Sequence, residues 1–371
     1  MKIIFTVFND LNTDQRMIRI CTSLARAGHA VTLAGRKIKG SPELAERPFK
    51  QRRLHCFFRK GKPAYLEFNV RLFFYLLFRS HDAICAIDLD TILPCYFVSV
   101  FRRTKRVYDA HELFCEMKEI VTRPAIYRVW KAVERFAVPR FRSGYTVNDL
   151  IADEFYKMYG VHYEVIRNVP VMKPLSIPEK QVKYIVYQGA VNEGRCFETL
   201  IPAMHLVDAQ LVICGEGNFL KQAKQLVDWE ELGHKITFRG MVPPEKLEAI
   251  TRKAWAGVTL FDKTGLSNYY SLANRFFDYC HAGIPQVCVN FPVYKEINNQ
   301  YEIAVCIDNQ RSETIAAALN QLLNDPELYE RLQKQCLKAR QVLNWQEEEA
   351  KLIEFWKMVE VGRSAVSGRQ S

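Results

Sequence analysis

No apolar run in this sequence is long enough to cross a bilayer. The longest, Leu72–Phe78 and Ile92–Phe101, fall well short of the ~18 residues a spanning helix needs. Paired cysteines are missing too. The eleven cysteines are scattered singly, none in a CxxC pair, and their number is odd. That pattern excludes a zinc ribbon or a disulfide framework and points to reduced core thiols in a cytosolic protein. Glycine (17) and proline (15) are too few for low complexity, and 49% hydrophobic with 25% charged residues excludes a disordered or fibrous chain. The opening apolar run meets Asp10 and Asp14 too soon for a signal peptide, so it reads as a buried first strand. Nothing resembles a nucleic-acid-reading motif.

What the chain has in excess is positive charge, and only on one side. Residues 1–170 carry 29 basic and 17 acidic groups, whereas 171–371 carry 23 and 24. A one-sided basic domain attracts something anionic: nucleic acid, an acidic membrane surface or a phosphorylated substrate. Within Lys50–Arg79, Arg52, Arg53, Arg59, Lys60, Lys62, Arg71 and Arg79 interleave with Phe57, Phe58, Tyr65, Phe68, Phe73, Phe74 and Tyr75. Arg102, Arg103, Lys105 and Arg106 follow. Basic and aromatic residues together suit the interface of an anionic bilayer. A solvated basic face over a core helix is the plainer alternative, and nucleic acid ranks third.

Hydrophobic spacing predicts alternating strands and helices. Strands are read at Lys2–Phe8, Ala30–Leu33, Ala83–Ile87, Arg106–Asp109, Gly144–Val147 and Tyr163–Ile166, with a helix over Asp14–Ala27. Pro170, Pro174 and Pro178 mark a linker. The grammar then repeats: strands at Lys183–Gln188, Gln210–Cys214, Lys235–Phe238, Trp255–Leu260, Gln286–Val289 and Ile303–Cys306, and helices at Phe197–His205, Asn274–Ala282, Ser312–Asn324 and Pro326–Val342. The predicted class is α/β, two Rossmann-like doubly wound parallel-sheet domains facing a central cleft. The expected bounds are 1–168, a Pro-rich linker 169–182, a second domain 183–345, a helix 346–360 packing back on the first domain, and a disordered tail 361–371.

Several segments fall at expected strand ends, where ligands bind in such folds. Ser267 to Ser271 lead into a helix start, an anion site by its free N–H groups and dipole. Arg275 suits a phosphate there, and Asp278, one turn on, suits ribose hydroxyls. Tyr187–Arg195 is a strand ending in Gly189 and a loop presenting Arg195, which alone would read as an ordinary surface turn. Gly215-Glu216-Gly217 ends another strand. His111, in Tyr108-Asp109-Ala110-His111-Glu112, sits at a strand tip; unaided it reads as a packing or capping residue. Asn12 or Thr13 is expected to cap the first helix, and Asp14 and Arg16 to face an acceptor.

The stretch Asn268-Tyr269-Tyr270-Ser271-Leu272-Ala273-Asn274-Arg275-Phe276-Phe277-Asp278-Tyr279, with Gly283-Ile284-Pro285 after it, resembles the donor-binding segment of GT-B fold glycosyltransferases. The likeness is to the retaining family 4 (glycosyl transferases group 1) enzymes of bacterial polysaccharide synthesis. Leu343-Asn344-Trp345 and Asp14-Gln15-Arg16 look like the same group, so the resemblance spans about 1–360. It implies transfer of a sugar, with retention, from a nucleotide-diphosphate donor, UDP-linked, to a hydroxyl of a glycan or lipid-linked glycan acceptor. It implies catalytic roles for His111, Arg195 and Arg275, the two arginines on the diphosphate and His111 in sugar positioning or proton handling. Gly189, Gly215, Glu216, Met241, Ser271, Leu272, Asn274 and Asp278 would bind the donor, the backbone near Met241 meeting the base. No cofactor and no metal are implied; Asp88-Leu89-Asp90 is read as a coincidence, and no nucleic acid is expected as partner. The implied location is cytoplasmic, peripheral at the inner membrane face. Where many relatives carry the first of two glutamates, this chain has Tyr270. A sugar-nucleotide epimerase on the same fold, and a non-catalytic basic membrane- or nucleic-acid-binding module, are the competing readings.

Overall fold

The computed structural model describes residues 1–9, 11–12, 14–37, 39–41, 43–176 and 182–362. The tail expected at 361–371 and the linker's 177–181 therefore fall largely outside the described residues. The chain divides into two compact units, Met1–Asn168 with Glu348–Ser371, and Val169–Glu347.

The first unit is built on seven parallel strands: β1 (Lys2–Thr6), β2 (Ala30–Lys37), β3 (Lys50–His55), β4 (Ala83–Ile87), β5 (Lys105–Asp109), β6 (Ser143–Thr146) and β7 (Glu164–Val165). Their order is β3-β2-β1-β4-β5-β6-β7. Between them lie α1 (Gln15–Arg26), α2 (Gly61–Leu77), α3 (Ile92–Arg102), α4 (Lys118–Val121), α5 (Pro124–Ala137) and α6 (Asp149–Tyr159). β4 is buried at every position, as a parallel strand covered on both faces must be, which is why it reads as an unbroken apolar run. β3 was not foreseen. It is the edge strand, paired only with β2, and its alternation of exposed Lys50, Arg52 and His55 with inner residues charges an edge that would otherwise invite pairing. Part of the basic cluster thus guards the sheet.

Helix α1 is capped by Asp14 and not by Asn12. Asp14 Oδ1 accepts the Met17 N–H at 3.0 Å, and Asn12 donates instead to the Glu43 carbonyl at 2.9 Å; Thr13 lies outside the described residues.

The second unit has six parallel strands: β8 (Tyr184–Gln188), β9 (Gln210–Cys214), β10 (Ile236–Gly240), β11 (Ala256–Thr259), β12 (Gln286–Val289) and β13 (Ala304–Ile307), ordered β10-β9-β8-β11-β12-β13. Its helices are α7 (Phe197–Ala203), α8 (Leu220–Trp229), α9 (Pro244–Lys253), α10 (Leu266–Tyr269), α11 (Asn274–Ala282), α12 (Pro292–Tyr301), α13 (Ser312–Asn324) and α14 (Pro326–Ala339). A last helix, α15 (Trp345–Val361), carries the chain back to the first unit. There the Trp356 ring lies 5.5 Å from Phe5 and the Phe355 ring 5.1 Å from Tyr145.

All eleven cysteines are free thiols, nine of them buried. No helix among the described residues is long and apolar enough to cross a membrane.

In each sheet the strand order reverses once, between β1 and β4 and between β8 and β11. Loops leaving the two strands at a reversal diverge to opposite faces, and the crevice between them takes ligands at the carboxyl edge.

Candidate active site

The carboxyl edge of the second sheet is made of loops that interlock by backbone. Gly189 N–H donates to the Cys214 carbonyl at 3.0 Å, Val191 N–H to Glu216 at 2.9 Å, and Gly215 N–H to Gly240 at 2.8 Å. Gly215 has φ +147, and a Cβ there would lie 1.8 Å from the Gly189 carbonyl oxygen. Only glycine satisfies both the torsion and the approach. Replacement of Gly215 by alanine is expected to cost at least ~2 kcal/mol. Gly233→Ala, at a position with nothing within 4 Å of the added carbon, serves as the control. Equilibrium urea unfolding distinguishes them.

Arg275 lies in the first turn of α11, 7% exposed. Its guanidinium sits 4.8 Å from the ring centres of both Tyr187 and Phe261. Gly189 is beside it, a Cβ there meeting Arg275 Nη1 at 3.3 Å. Its Nη2 donates to the Leu260 carbonyl at 3.4 Å, but its Nε has no hydrogen-bond partner. No carboxylate pairs with it among the described residues. Arg195 comes to the same ring from the other side of the loop: its guanidinium is 4.3 Å from the Phe261 centre, and its Nη1 donates to Asn268 Oδ1 at 3.0 Å. Asn268 in turn donates to Asp262 at 3.2 Å. Two cations on one aromatic ring repel each other and gain from an anion between or beside them.

Around this pair stand most of the other predicted residues. Asp278 Oδ2 accepts from Gln188 Nε2 at 2.7 Å. Gln188 is itself fixed by Thr251, whose hydroxyl donates to Gln188 Oε1 at 2.5 Å. Ser271 Oγ donates to the Asn268 carbonyl at 2.8 Å, Leu272 is buried, and Asn274 opens α11, which has no side-chain cap. Glu216 and Met241 follow β9 and β10, Met241 being 69% exposed. The residues thus occupy successive strand ends, from β10 through β9 and β8 to β11. Tyr187, Gln188 and Asn268 lie in segments the sequence singles out but are not named there as binding residues, and Phe261 was not foreseen. Each sits at or next to a strand end beside a glycine or a polar loop, which is the signal that could have found them.

In the first unit, His111 and Asp88 meet at the carboxyl ends of β5 and β4, His111 Nδ1 lying 3.2 Å from Asp88 Oδ1. Asp88, dismissed from the sequence as part of a chance motif, is the carboxylate beside the ring, though neither Asp88 Oδ1 nor His111 Nδ1 makes a hydrogen bond. It is held at φ +52, ψ −177, a region costly for a residue with a Cβ and found where surroundings impose it. Burial, with the nearby Arg16 guanidinium, lowers the imidazole to about 4, while burial and the carboxylates of Glu112 and Asp90 push Asp88 well up. Asp88, His111 and Glu112 also offer ligand atoms within 4.8 Å of one another. His111 is expected to be a neutral ring at pH 6, half a unit below its ordinary value. The ¹⁵N chemical shifts of its ring, assigned with His111→Gln, check this; a titration centred near 6.5 contradicts it.

Arg16 does not face an acceptor. It is 4% exposed, and its Nε and Nη2 grip Asp109 Oδ1 and Oδ2 at 2.8 to 3.2 Å. It is part of the core. An aromatic wall flanks the same edge: Phe8 and Tyr65 stack at 4.1 Å, and Trp130 meets Tyr65 edge-on at 5.7 Å.

Residues 172–338 match the family model described as Glycosyl transferases group 1. No curated protein sequence matches the chain. Among solved structures, the sucrose-phosphate synthase of Thermosynechococcus elongatus aligns with a TM-score of 0.80 at 16% identity, over 98% of this chain and all of that one. Anabaena HepE, in complex with UDP and glucose, aligns at 0.73 and 13%, over 96% and 99%. WaaG, a glycosyltransferase involved in lipopolysaccharide biosynthesis, aligns at 0.72 and 14%, over 98% and 100%. These likenesses establish the fold as that of the GT-B glycosyltransferases.

Proposed function

We propose that this chain is a glycosyltransferase, on the match of residues 172–338 to the glycosyl transferases group 1 model, and that it transfers a sugar from a UDP-sugar, with retention, to a hydroxyl of a glycan or lipid-linked glycan. The observation that carries the donor reading is Arg275: a cation nine-tenths buried, unpaired by any carboxylate among the described residues, with Arg195 on the same Phe261 ring. A diphosphate supplies the missing charge. As the glycosidic bond to the β-phosphate breaks, negative charge grows on the leaving nucleotide, and fixed guanidinium groups stabilise that state more than the ground state. Asp278 receives the ribose, Ser271, Leu272 and Asn274 line the phosphate end, and the backbone by Glu216 and Met241 meets the base. UDP is favoured because HepE, which shares the fold, is solved with UDP.

The acceptor reading rests on the first unit. Its carboxyl edge combines the polar group Asp88, His111 and Glu112 with the Phe8, Tyr65 and Trp130 wall, the chemistry that recognises hydroxyls and the apolar faces of sugar rings. His111 positions the sugar or carries the proton released by the acceptor hydroxyl. No metal is required.

The test is a thermal-shift panel of UDP, GDP, CMP, ADP and dTDP on the wild type and on Arg275→Ala. Selective stabilisation by UDP, lost in the variant, is the expected result. Turnover of UDP-sugars then follows, with the product anomer read by NMR and with EDTA present and absent. Absence of any nucleotide effect contradicts the donor site. Loss of turnover in EDTA contradicts the metal-free reading and turns attention to Asp88, His111 and Glu112.

A further inference from the structure

Helix α2 is apolar on both sides. One side buries Ala64, Phe68, Leu72 and Leu76. The other, at the same four-residue spacing, presents Leu66 (68% exposed), Val70, Phe74 and Phe78 (77%) to solvent. Neighbouring α3 adds Phe97, Val100 and Phe101, and the two helices are tied at their ends by Arg102 Nη1 donating to the Leu77 carbonyl at 3.1 Å. A groove of about 710 Å³ on α2 is lined by Phe58, Pro63, Leu66 and Val70 together with Lys62, Glu67 and Arg71.

At the start of α2 two more phenylalanines are held out into water. Phe57 is 84% and Phe58 55% exposed. Their turn is pinned by a single carboxylate: Glu67 accepts the N–H of Phe57 at 2.8 Å, that of Phe58 at 2.9 Å and Arg71 Nε at 2.9 Å. Arg71 in turn lies over the Phe57 ring at 5.1 Å. The turn is thus fastened to α2 through both of its backbone N–H groups. Glu67 is also the sole acidic residue between Glu46 and Asp82, a span holding Lys50, Arg52, Arg53, Arg59, Lys60, Lys62, Arg71 and Arg79.

We propose that the outer face of α2 and α3, led by the Phe57–Phe58 turn, docks this protein on an anionic lipid bilayer. A second copy of the chain would set like charge against like. A bilayer with anionic headgroups meets the cations, while the phenylalanines enter the headgroup–acyl boundary. The turn follows β3 directly, so it stands on the same carboxyl edge of the sheet as His111, and a lipid-linked acceptor in that bilayer is presented to that edge. The inference deepens the lipid-linked acceptor reading, but its test needs no substrate and so fails or succeeds apart from it.

The experiment is co-sedimentation of the full chain with phosphatidylcholine vesicles and with vesicles of 3:1 phosphatidylcholine to phosphatidylglycerol, in low and high salt. Binding to the mixed vesicles only, weakened by salt, is expected. Phe57→Ser with Phe58→Ser, and separately Phe74→Ser with Phe78→Ser, should each lower the partition coefficient at least tenfold. Lys62→Glu should lower it roughly fivefold or more. All should keep the wild-type melting temperature, since the side chains are exposed. No binding to either vesicle, or binding indifferent to these changes, overturns the proposal. So does a concentration-dependent dimer in light scattering that the same substitutions abolish, because the face is then an interface between copies.

Discussion

Arg275→Ala lowers kcat/KM for nucleotide-sugar turnover by about 10²–10³-fold, the cost of removing one fixed group that stabilises developing negative charge. The geometry argues for the upper part of that range. Arg275 is held by two aromatic rings and one carbonyl, with its Nε left without a partner, so the guanidinium is positioned before the ligand arrives. Arg275→Lys keeps the charge and loses the planar fork, and recovers only part of the rate. Arg195→Ala has a smaller effect, because its guanidinium is already shared with Asn268. The double variant falls short of the product of the two single effects, since both cations act on the same ring and the same anion. Steady-state kinetics with circular dichroism as the folding control decide this. An Arg275→Ala enzyme with unchanged kcat/KM would remove the donor site from the second unit.

The largest stability effect is expected in the first unit. Arg16→Met leaves Asp109, fully buried, without its two-pronged partner. Breaking one side of a buried pair costs about 3–5 kcal/mol, which for a domain of this size lowers Tm on the order of 10 °C. In the variant, burial is no longer opposed by Arg16, so Asp109 takes up a proton. Arg16→Met with Asp109→Leu removes both charges from the core and recovers most of the loss. Calorimetry measures both. A single variant as stable as the wild type would show that the pair is solvated and that Arg16 is available to a ligand after all.

The sequence by itself determined the class of fold. Parallel strands buried on both faces are apolar over most of their length, so β4, and β9 and β12 after their opening glutamines, are visible as runs with the bounds they have in the structure. Asn274–Ala282 is likewise legible, because Gly283 at φ +67 ends it with a left-handed turn. The segment 265–285 reads from sequence as an anion site, a polar loop before a helix start with an arginine in its first turn, and the structure places that arginine with no carboxylate partner among the described residues.

What only the tertiary structure decided is which charges meet. Edge strand β3 was invisible because an edge needs charge, and a charged strand has no apolar signature. The partnership of Arg16 with Asp109 spans 93 residues, and that of Asp88 with His111 joins two separate strand ends. Local pattern carries no record of such pairings. The same holds for Arg195 and Arg275, whose meeting on Phe261 depends on β8 and β11 being neighbours at the point where the strand order reverses. Periodicity reports how each element is buried; the sheet order decides which loops share a crevice, and the charges on those loops become a site only there.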